Sequence, residues 1–306
     1  MKTKIKSTAL LFLTAIIWGF AFVAQRVGAD YVGAFTFNGV RFLLGAVSLI
    51  PVILIFEKEE FDKSKFVKTL LTGILAGVIL FIASSLQQFG IVLTESAGKS
   101  GFLTGLYIVL VPLVRFVFGK KTSVLTFFGA VFAVAGLFFL CMSGDKLSFE
   151  IGDIVLIIGA FFWAGHILVV DKFVNFISAL KFSMFQFLTC GTLSVIFALF
   201  TETIEFSAIK QAGIPILYGG LMSVGIAYTC QIIGQKNADP TFASIIFSTE
   251  SVFSAIGGAL ILHETMSKGG YIGCVLIFIG IILSQITIND IKKIWKKSRK
   301  ITNNIE

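Results

Sequence analysis

Glu250 stands inside the run IIFSTESVFSAIGG, with apolar residues on both sides. A carboxylate in such surroundings is costly to bury, so it faces the bundle interior, a water cavity or a partner. It reads either as a proton-coupling site or counter-ion for a cationic group, or as a hydrogen bond between helices made with Ser248 or Thr249. Trp18 in IIWGFAFVAQRVG and Trp163 in AFFWAGHILVVDKF occupy the middles of two other apolar runs. Aromatic faces accept flat apolar groups or cations. Tyr107 and Tyr228 could join the two tryptophans as walls of one cavity, with ordinary packing as the alternative for any single ring. Gln25 follows Trp18 by seven residues, two helical turns along the same face. Gln87 and Gln88 lie in one apolar run, Gln231 and Gln235 in another. They form either a polar layer above and below a central site or glue between helices. His166, three residues after Trp163, shares its face. It reads as a proton relay or as a satisfied interior histidine. Arg41 could bind a carboxylate, but the structural reading is favoured: it snorkels outward or pairs with Asp30.

These residues need a scaffold, and the hydropathy pattern supplies it. Ten stretches of about 20 apolar residues run from Ser7 to about Ile288, each long enough to cross a bilayer as a helix. They fall roughly at 7–27, 35–56, 68–93, 100–118, 124–142, 152–171, 182–200, 213–234, 242–262 and 269–288. Lipid cannot hydrogen-bond bare backbone, so an all-α polytopic membrane protein is expected. The chain is 56% hydrophobic and 14% charged, against about a quarter charged in a soluble domain. No room remains for a separate soluble domain within these 306 residues. The N-terminus has Lys2, Lys4 and Lys6 before an apolar run too long for a signal peptide, so a retained first helix is expected.

The net charge of +8 does not indicate nucleic acid, because the lysines lie in loops and tails. Loops on one side of the predicted bundle carry 19 Lys and Arg, those on the other side 5. By the positive-inside rule both termini are cytoplasmic. The tail, residues 291–306, is basic and contains Trp295; it reads as lipid-attracted or as a solvated positive-inside segment. Cys141, Cys190, Cys230 and Cys274 form no CxxC pair, so neither a disulfide framework nor a zinc site is expected. No Walker A motif occurs, and no other cofactor is implied.

The second half echoes the first. Trp18 and Trp163 are 145 residues apart, as are Phe37 and Phe182, Arg41 and Gln186, and Phe42 and Phe187. Near each repeat's end, Gly129 and Gly136 match Gly273 and Gly280 at an offset of 144. Five crossings per copy is an odd number, so the second copy must enter from the opposite side. The expectation is two inverted five-helix repeats, residues 1–145 and 146–290, an architecture that secondary carriers use for alternating access.

Trp18-Gly19, Arg41-Phe42, Pro112 in LYIVLVPL, Glu250-Ser251-Val252-Phe253 and Leu262-His263-Glu264 carry a specific resemblance. With them, the chain resembles the drug/metabolite transporter superfamily, with two EamA-type repeats over about residues 7–288. Two positions depart from the family pattern: Ser251 stands where proline is usual, and Gly119-Lys120 where Gly-Glu is usual. The resemblance implies a ten-helix carrier of small metabolites, often an exporter.

The sequence therefore predicts a secondary transporter in a cytoplasmic membrane, not an enzyme. Its substrate is a small organic metabolite, an amino acid or an amphipathic cation, coupled to a proton, to sodium or to exchange. The expected substrate-binding residues are Trp18, Gln25, Gln87, Tyr107, Trp163, His166, Tyr228, Gln231 and Glu250. The runner-up substrate class is a nucleotide sugar, which needs cations for its phosphates; Arg41 and Lys99 are the candidates. A non-transporting receptor is a further alternative. A membrane-embedded enzyme built on His166-x4-Asp171 is disfavoured, because five helical positions turn the two side chains about 140° apart.

Overall fold

A computed structural model describes residues 2–57, 62–119, 124–143, 146–147, 150–238, 240–265 and 267–283. The basic tail and the expected Gly119-Lys120 departure at Lys120 lie outside the described residues. The described chain is overwhelmingly helical: α1 (Lys2–Gly28), α2 (Ala34–Phe56), α3 (Lys63–Thr94), α4 (Ala97–Thr104), α5 (Tyr107–Val117), α6 (Val124–Cys141), α7 (Ile151–Phe173), α8 (Ala179–Thr201), α9 (Phe206–Gln211) and α10 (Gly213–Leu217). A π-helical stretch, Tyr218–Tyr228, joins α10 to α11 (Thr229–Gln235); then come α12 (Pro240–Ser248), α13 (Glu250–Ile261) and α14 (Lys268–Leu283). Among the described residues, seven helices are long and apolar enough to cross a membrane, and two shorter apolar helices accompany them. Such a chain is a polytopic membrane protein. Its many outward-facing apolar side chains, among them Leu54, Phe56, Phe161 and Phe200, suit a lipid solvent.

The helices fall into two compact units, Met1–Tyr107 with Phe149–Thr265, and Ile108–Ser148 with Met266–Glu306. In the second unit α6 packs against α14, and a short antiparallel pairing of Met142–Ser143 with Lys146–Leu147 follows α6. The first unit holds the candidate site.

In that unit α2 and α8 run antiparallel and cap each other. Glu202, at the end of α8, accepts the backbone N–H groups of Phe35 and Thr36, both at 2.8 Å, and the Thr36 hydroxyl at 2.7 Å. Glu57, at the end of α2, accepts the Ser178 hydroxyl and the Leu180 N–H at the start of α8. A helix start leaves N–H groups without intrahelical partners and carries partial positive charge, so a carboxylate from the neighbouring helix satisfies both. Glu57 and Glu202 are 145 residues apart. Between the caps the Phe42 and Phe187 rings meet at 6.2 Å.

Glu264 does the same for α4, accepting from Ser96 Oγ at 2.8 Å and from the N–H groups of Ala97 and Gly98 at 2.7 and 3.1 Å. His263, left-handed at φ 53°, turns the chain after α13 to bring Glu264 there.

Two helices are interrupted where the sequence predicts continuous spans. The predicted span 100–118 breaks at Gly105 and Leu106, where Leu106 N–H bonds back to Leu103 over three residues. The predicted span 242–262 breaks at Thr249, whose N–H bonds to Ile246. Tyr107 and Glu250 are the first residues after the two breaks. The second interruption forms with Ser251, not proline, one residue further on.

α1 packs on α13 through Gly19. A Cβ there would lie 2.3 Å from Phe253 Cβ and 2.8 Å from the Glu250 carbonyl, distances that real side chains do not adopt. We expect Gly19→Ala to force α1 off α13 and to destabilise the protein by about 1–3 kcal/mol. The check is the melting temperature in detergent; an unchanged value contradicts this packing.

Candidate functional site

One cavity in the first unit is lined by Trp18, Ala21, Phe22, Gln25, Arg41, Gln87, Thr104, Tyr107, Trp163, Ile167, Ser223, Tyr228, Gln231 and Glu250. Its empty space, counting the open mouth, is about 430 Å³. Each wall has an identifiable origin. α1 sends in Trp18 and, two turns on, Gln25; α3 sends Gln87, α7 Trp163, α11 Gln231, and the end of the π-helical stretch Tyr228. Tyr107 and Glu250 enter from the first residues of α5 and α13.

The aromatic side is a cluster around Tyr228. Its ring lies 4.7 Å from that of Trp18, edge to face, and 6.2 Å from that of Trp163, nearly parallel at 24°. The two tryptophan rings are 6.5 Å apart, and Phe247 closes on Trp18 at 5.4 Å. Such ring pairs hold one another in fixed orientations. The π-helical stretch also anchors α1. Trp18 Nε1 donates to the Ser223 carbonyl at 3.3 Å, and Thr14 Oγ1 to the Ala227 carbonyl at 3.0 Å. A π turn shifts backbone pairing by one residue, which changes the partners its carbonyls have within the helix.

Opposite chemistry faces these rings. Tyr107 Oη donates to Glu250 Oε1 at 2.9 Å, and both residues are buried. The bond therefore ties the interruption of one helix to that of another. Of the two expected local partners of Glu250, Thr249 uses its hydroxyl elsewhere: Oγ1 donates to the Ile246 carbonyl at 2.6 Å, which the tight turn at the break brings close. Several buried polar atoms of the wall find no protein partner among the described residues: Gln25 Oε1, Thr104 Oγ1, Trp163 Nε1, and both ends of the Gln231 amide. They are available to a bound molecule or to water, and leaving one unsatisfied costs about 1–3 kcal/mol.

Eight of the nine sequence-predicted residues thus line one cavity. His166 does not. It stands behind the wall, its ring 6.1 Å from Trp163 and 6.2 Å from Tyr228, with Nε2 2.9 Å from Gln186 Oε1. Two of the four layer glutamines are also not part of the cavity wall: Gln88 donates to the Gln25 carbonyl and Gln235 to the Ile167 carbonyl, bonds that join helices.

Arg41, Thr104 and Ser223 are wall residues that the sequence-based set omits. For Arg41 a signal exists, a cation in an apolar run, but the favoured structural reading leads away from the cavity. Its suggested partner Asp30, in the turn just after α1, is held at 2.5 Å by Arg26, four residues earlier in the last turn of that helix. Thr104 and Ser223 carry no pattern that separates them from ordinary helix hydroxyls. Lys99, the other cation weighed for phosphates, is bound to Asp153 at 2.8 Å and lies 3.7 Å from Glu150. It is not part of the cavity wall.

The chain belongs to the EamA-like transporter family, whose model matches residues 5–142 and again 150–286. It is 26% identical over 283 residues to an uncharacterized transporter of Archaeoglobus fulgidus, covering 91% of this chain and 85% of the relative. It is similar to the uncharacterized transporter YoaV of Bacillus subtilis, 24% identical over 89% of this chain and 94% of YoaV. It is also similar to the uncharacterized inner membrane transporter YedA of Escherichia coli, 22% identical over 89% of this chain and 88% of YedA. A solved crystal structure shares the fold, with a TM-score of 0.70 at 19% identity over 91% of this chain and 96% of the other. The protein is therefore a membrane transporter with several membrane-crossing helices, and family and relatives alike indicate transport rather than catalysis.

Proposed function

We propose that this transporter is a secondary carrier that moves a small organic metabolite, an amino acid or an amphipathic cation, outward by alternating access. The cavity around Glu250 is its binding site. One observation carries this reading. The hydrogen bond from Tyr107 to Glu250 joins the two helix interruptions and opens onto an aromatic wall. Carriers build substrate sites from interrupted helices, because irregular backbone is tolerated only beside a cavity or inside protein.

The inverted arrangement of two five-helix repeats, ten helices in all, is part of the proposal. It is supported by residues 145 apart that meet each other or exchange roles. Trp18 touches Trp163, Phe42 touches Phe187, and Glu57 and Glu202 cap reciprocal helix starts. A twofold axis passing between α2 and α8 would require such pairs. A nucleotide-sugar exchanger is disfavoured, since Lys99 is bound to Asp153 and only Arg41 remains at the cavity.

The proposed topology has both termini in the cytoplasm. A cysteine replacing Lys146, in a background without native thiols, should react with an impermeant maleimide added outside. Labelling only from the cytoplasmic side reverses the topology. The carrier reading itself is tested by screening purified protein for thermal stabilisation by a metabolite library, then measuring flux of each hit into liposomes. Saturable binding without movement makes the protein a receptor. Conversion of the ligand to a product makes it an enzyme.

A further inference from the structure

Arg41 is 2% exposed and belongs to the cavity wall. Buried cations are normally paired, and three partly buried cations here follow that rule: Arg26 with Asp30, Lys99 with Asp153 and Lys181 with Glu57. Arg41 has no carboxylate within ion-pair distance among the described residues. Its Nε donates to Asn38 Oδ1 at 3.0 Å, and the Asn38 amide donates in turn to the Ser84 carbonyl at 3.0 Å. That chain fixes the plane of the guanidinium through one of its three nitrogens. The Nη1 and Nη2 groups have no hydrogen-bond partner among the described residues. Aromatic rings flank the group, with Cζ 4.8 Å from the Phe42 centroid and 5.5 Å from that of Phe37. The side-chain stem lies along Gly219, where a Cβ would come within 3.1 Å of Arg41 Cδ.

We propose that Arg41 is the anion anchor of the cavity, and that the transported molecule carries a carboxylate seated on its two free Nη groups. The inference rests on the carrier reading and sharpens its substrate class. Two Nη groups in one plane match the two oxygens of a carboxylate, and Arg makes such paired bonds better than any other side chain. A phosphate would also fit the fork. Its second charge calls for a second cation, however, and no lysine and no other arginine lines the cavity. A molecule bearing only a positive charge would enter beside an uncompensated guanidinium, which disfavours it. Glu250 shares the cavity but makes no ion pair with Arg41, so the cavity does not neutralise its own cation. The carboxylate of an amphipathic molecule fits this wall, with the molecule's apolar part against Trp18, Trp163 and Tyr228.

The test uses purified full-length protein and a panel of amino acids, the matching amines that lack the carboxylate, and the matching carboxylic acids that lack the amine. Thermal stabilisation and counterflow in liposomes are read together. The expected result is that carboxylate-bearing probes stabilise the wild type and exchange, while the amines do not. Arg41→Gln should raise the half-saturating concentration at least roughly tenfold, and Arg41→Lys less, since it keeps the charge and loses the fork. If Arg41→Gln fails to fold, the wild-type comparison of acids against amines still decides. Amines that bind and exchange where the acids do not would overturn the anchor and leave the carrier standing. A panel in which nothing binds or exchanges overturns the anchor. If the metabolite screen also yields no flux, the carrier reading falls with it.

Discussion

Glu250→Gln is expected to cut exchange of the transported molecule by roughly tenfold or more while leaving the protein folded. The side chain is buried, starts α13, and accepts the Tyr107 hydroxyl at 2.9 Å. Glutamine keeps the shape and can still accept that bond through its carbonyl oxygen. What it loses is the ability to carry charge or a proton through the cycle. A hydrogen bond to a charged group contributes about 1.5–3 kcal/mol, and each 1.4 kcal/mol is about tenfold in an equilibrium or rate. A fall in counterflow of roughly tenfold or more is therefore expected, with a melting temperature close to that of the wild type. The paired measurement separates the two meanings of a buried glutamate. A variant that melts early and transports normally once stabilised would make Glu250 structural. Tyr107→Phe gives the complementary case: it removes the donor and leaves the carboxylate.

The second large effect concerns stability. Glu202→Ala removes an acceptor for two backbone N–H groups and one hydroxyl at the start of α2. Losing a helix cap costs about 0.5–2 kcal/mol, and a charged acceptor adds to that; about 3 kcal/mol is expected in total. Glu202→Gln should recover only part of the loss: Oε1 accepts from Phe35 and Oε2 from Thr36, and a glutamine offers one acceptor oxygen while its amide NH2 faces a donor at the other position. Glu57→Ala should behave likewise at the start of α8, where Lys181 also approaches Glu57 at 3.7 Å. Thermal unfolding in detergent reads all three. Equal melting of Glu202→Ala and the wild type would mean that water replaces the cap at no cost.

How much of this was legible in the sequence follows from which signals are local. The helices are legible because apolar runs of spanning length have few other structures open to them. Eight of the nine expected site residues converge on one cavity because each is a polar or aromatic exception within such a run. Arg41 has the same signal but two readings, and only geometry shows that Asp30 is occupied by Arg26. His166 has the right helical face, yet lies one layer back because Gln186 of α8 reaches it first. The breaks at Gly105 and Thr249 are illegible, since neither contains a proline and both depend on packing between distant segments. The reciprocal caps are hidden for the same reason: Glu57 and Glu202 look like ordinary loop carboxylates until the helix starts they serve are brought beside them. The π-helical stretch Tyr218–Tyr228 likewise has no local sequence mark beyond its glycines.

The most direct test of the account is counterflow in liposomes with a ligand that stabilises the purified protein, comparing wild type with Glu250→Gln. The account predicts saturable exchange of labelled ligand by the wild type and exchange slower by roughly tenfold or more in the variant. Binding by the wild type without exchange, or undiminished exchange by Glu250→Gln, would contradict it.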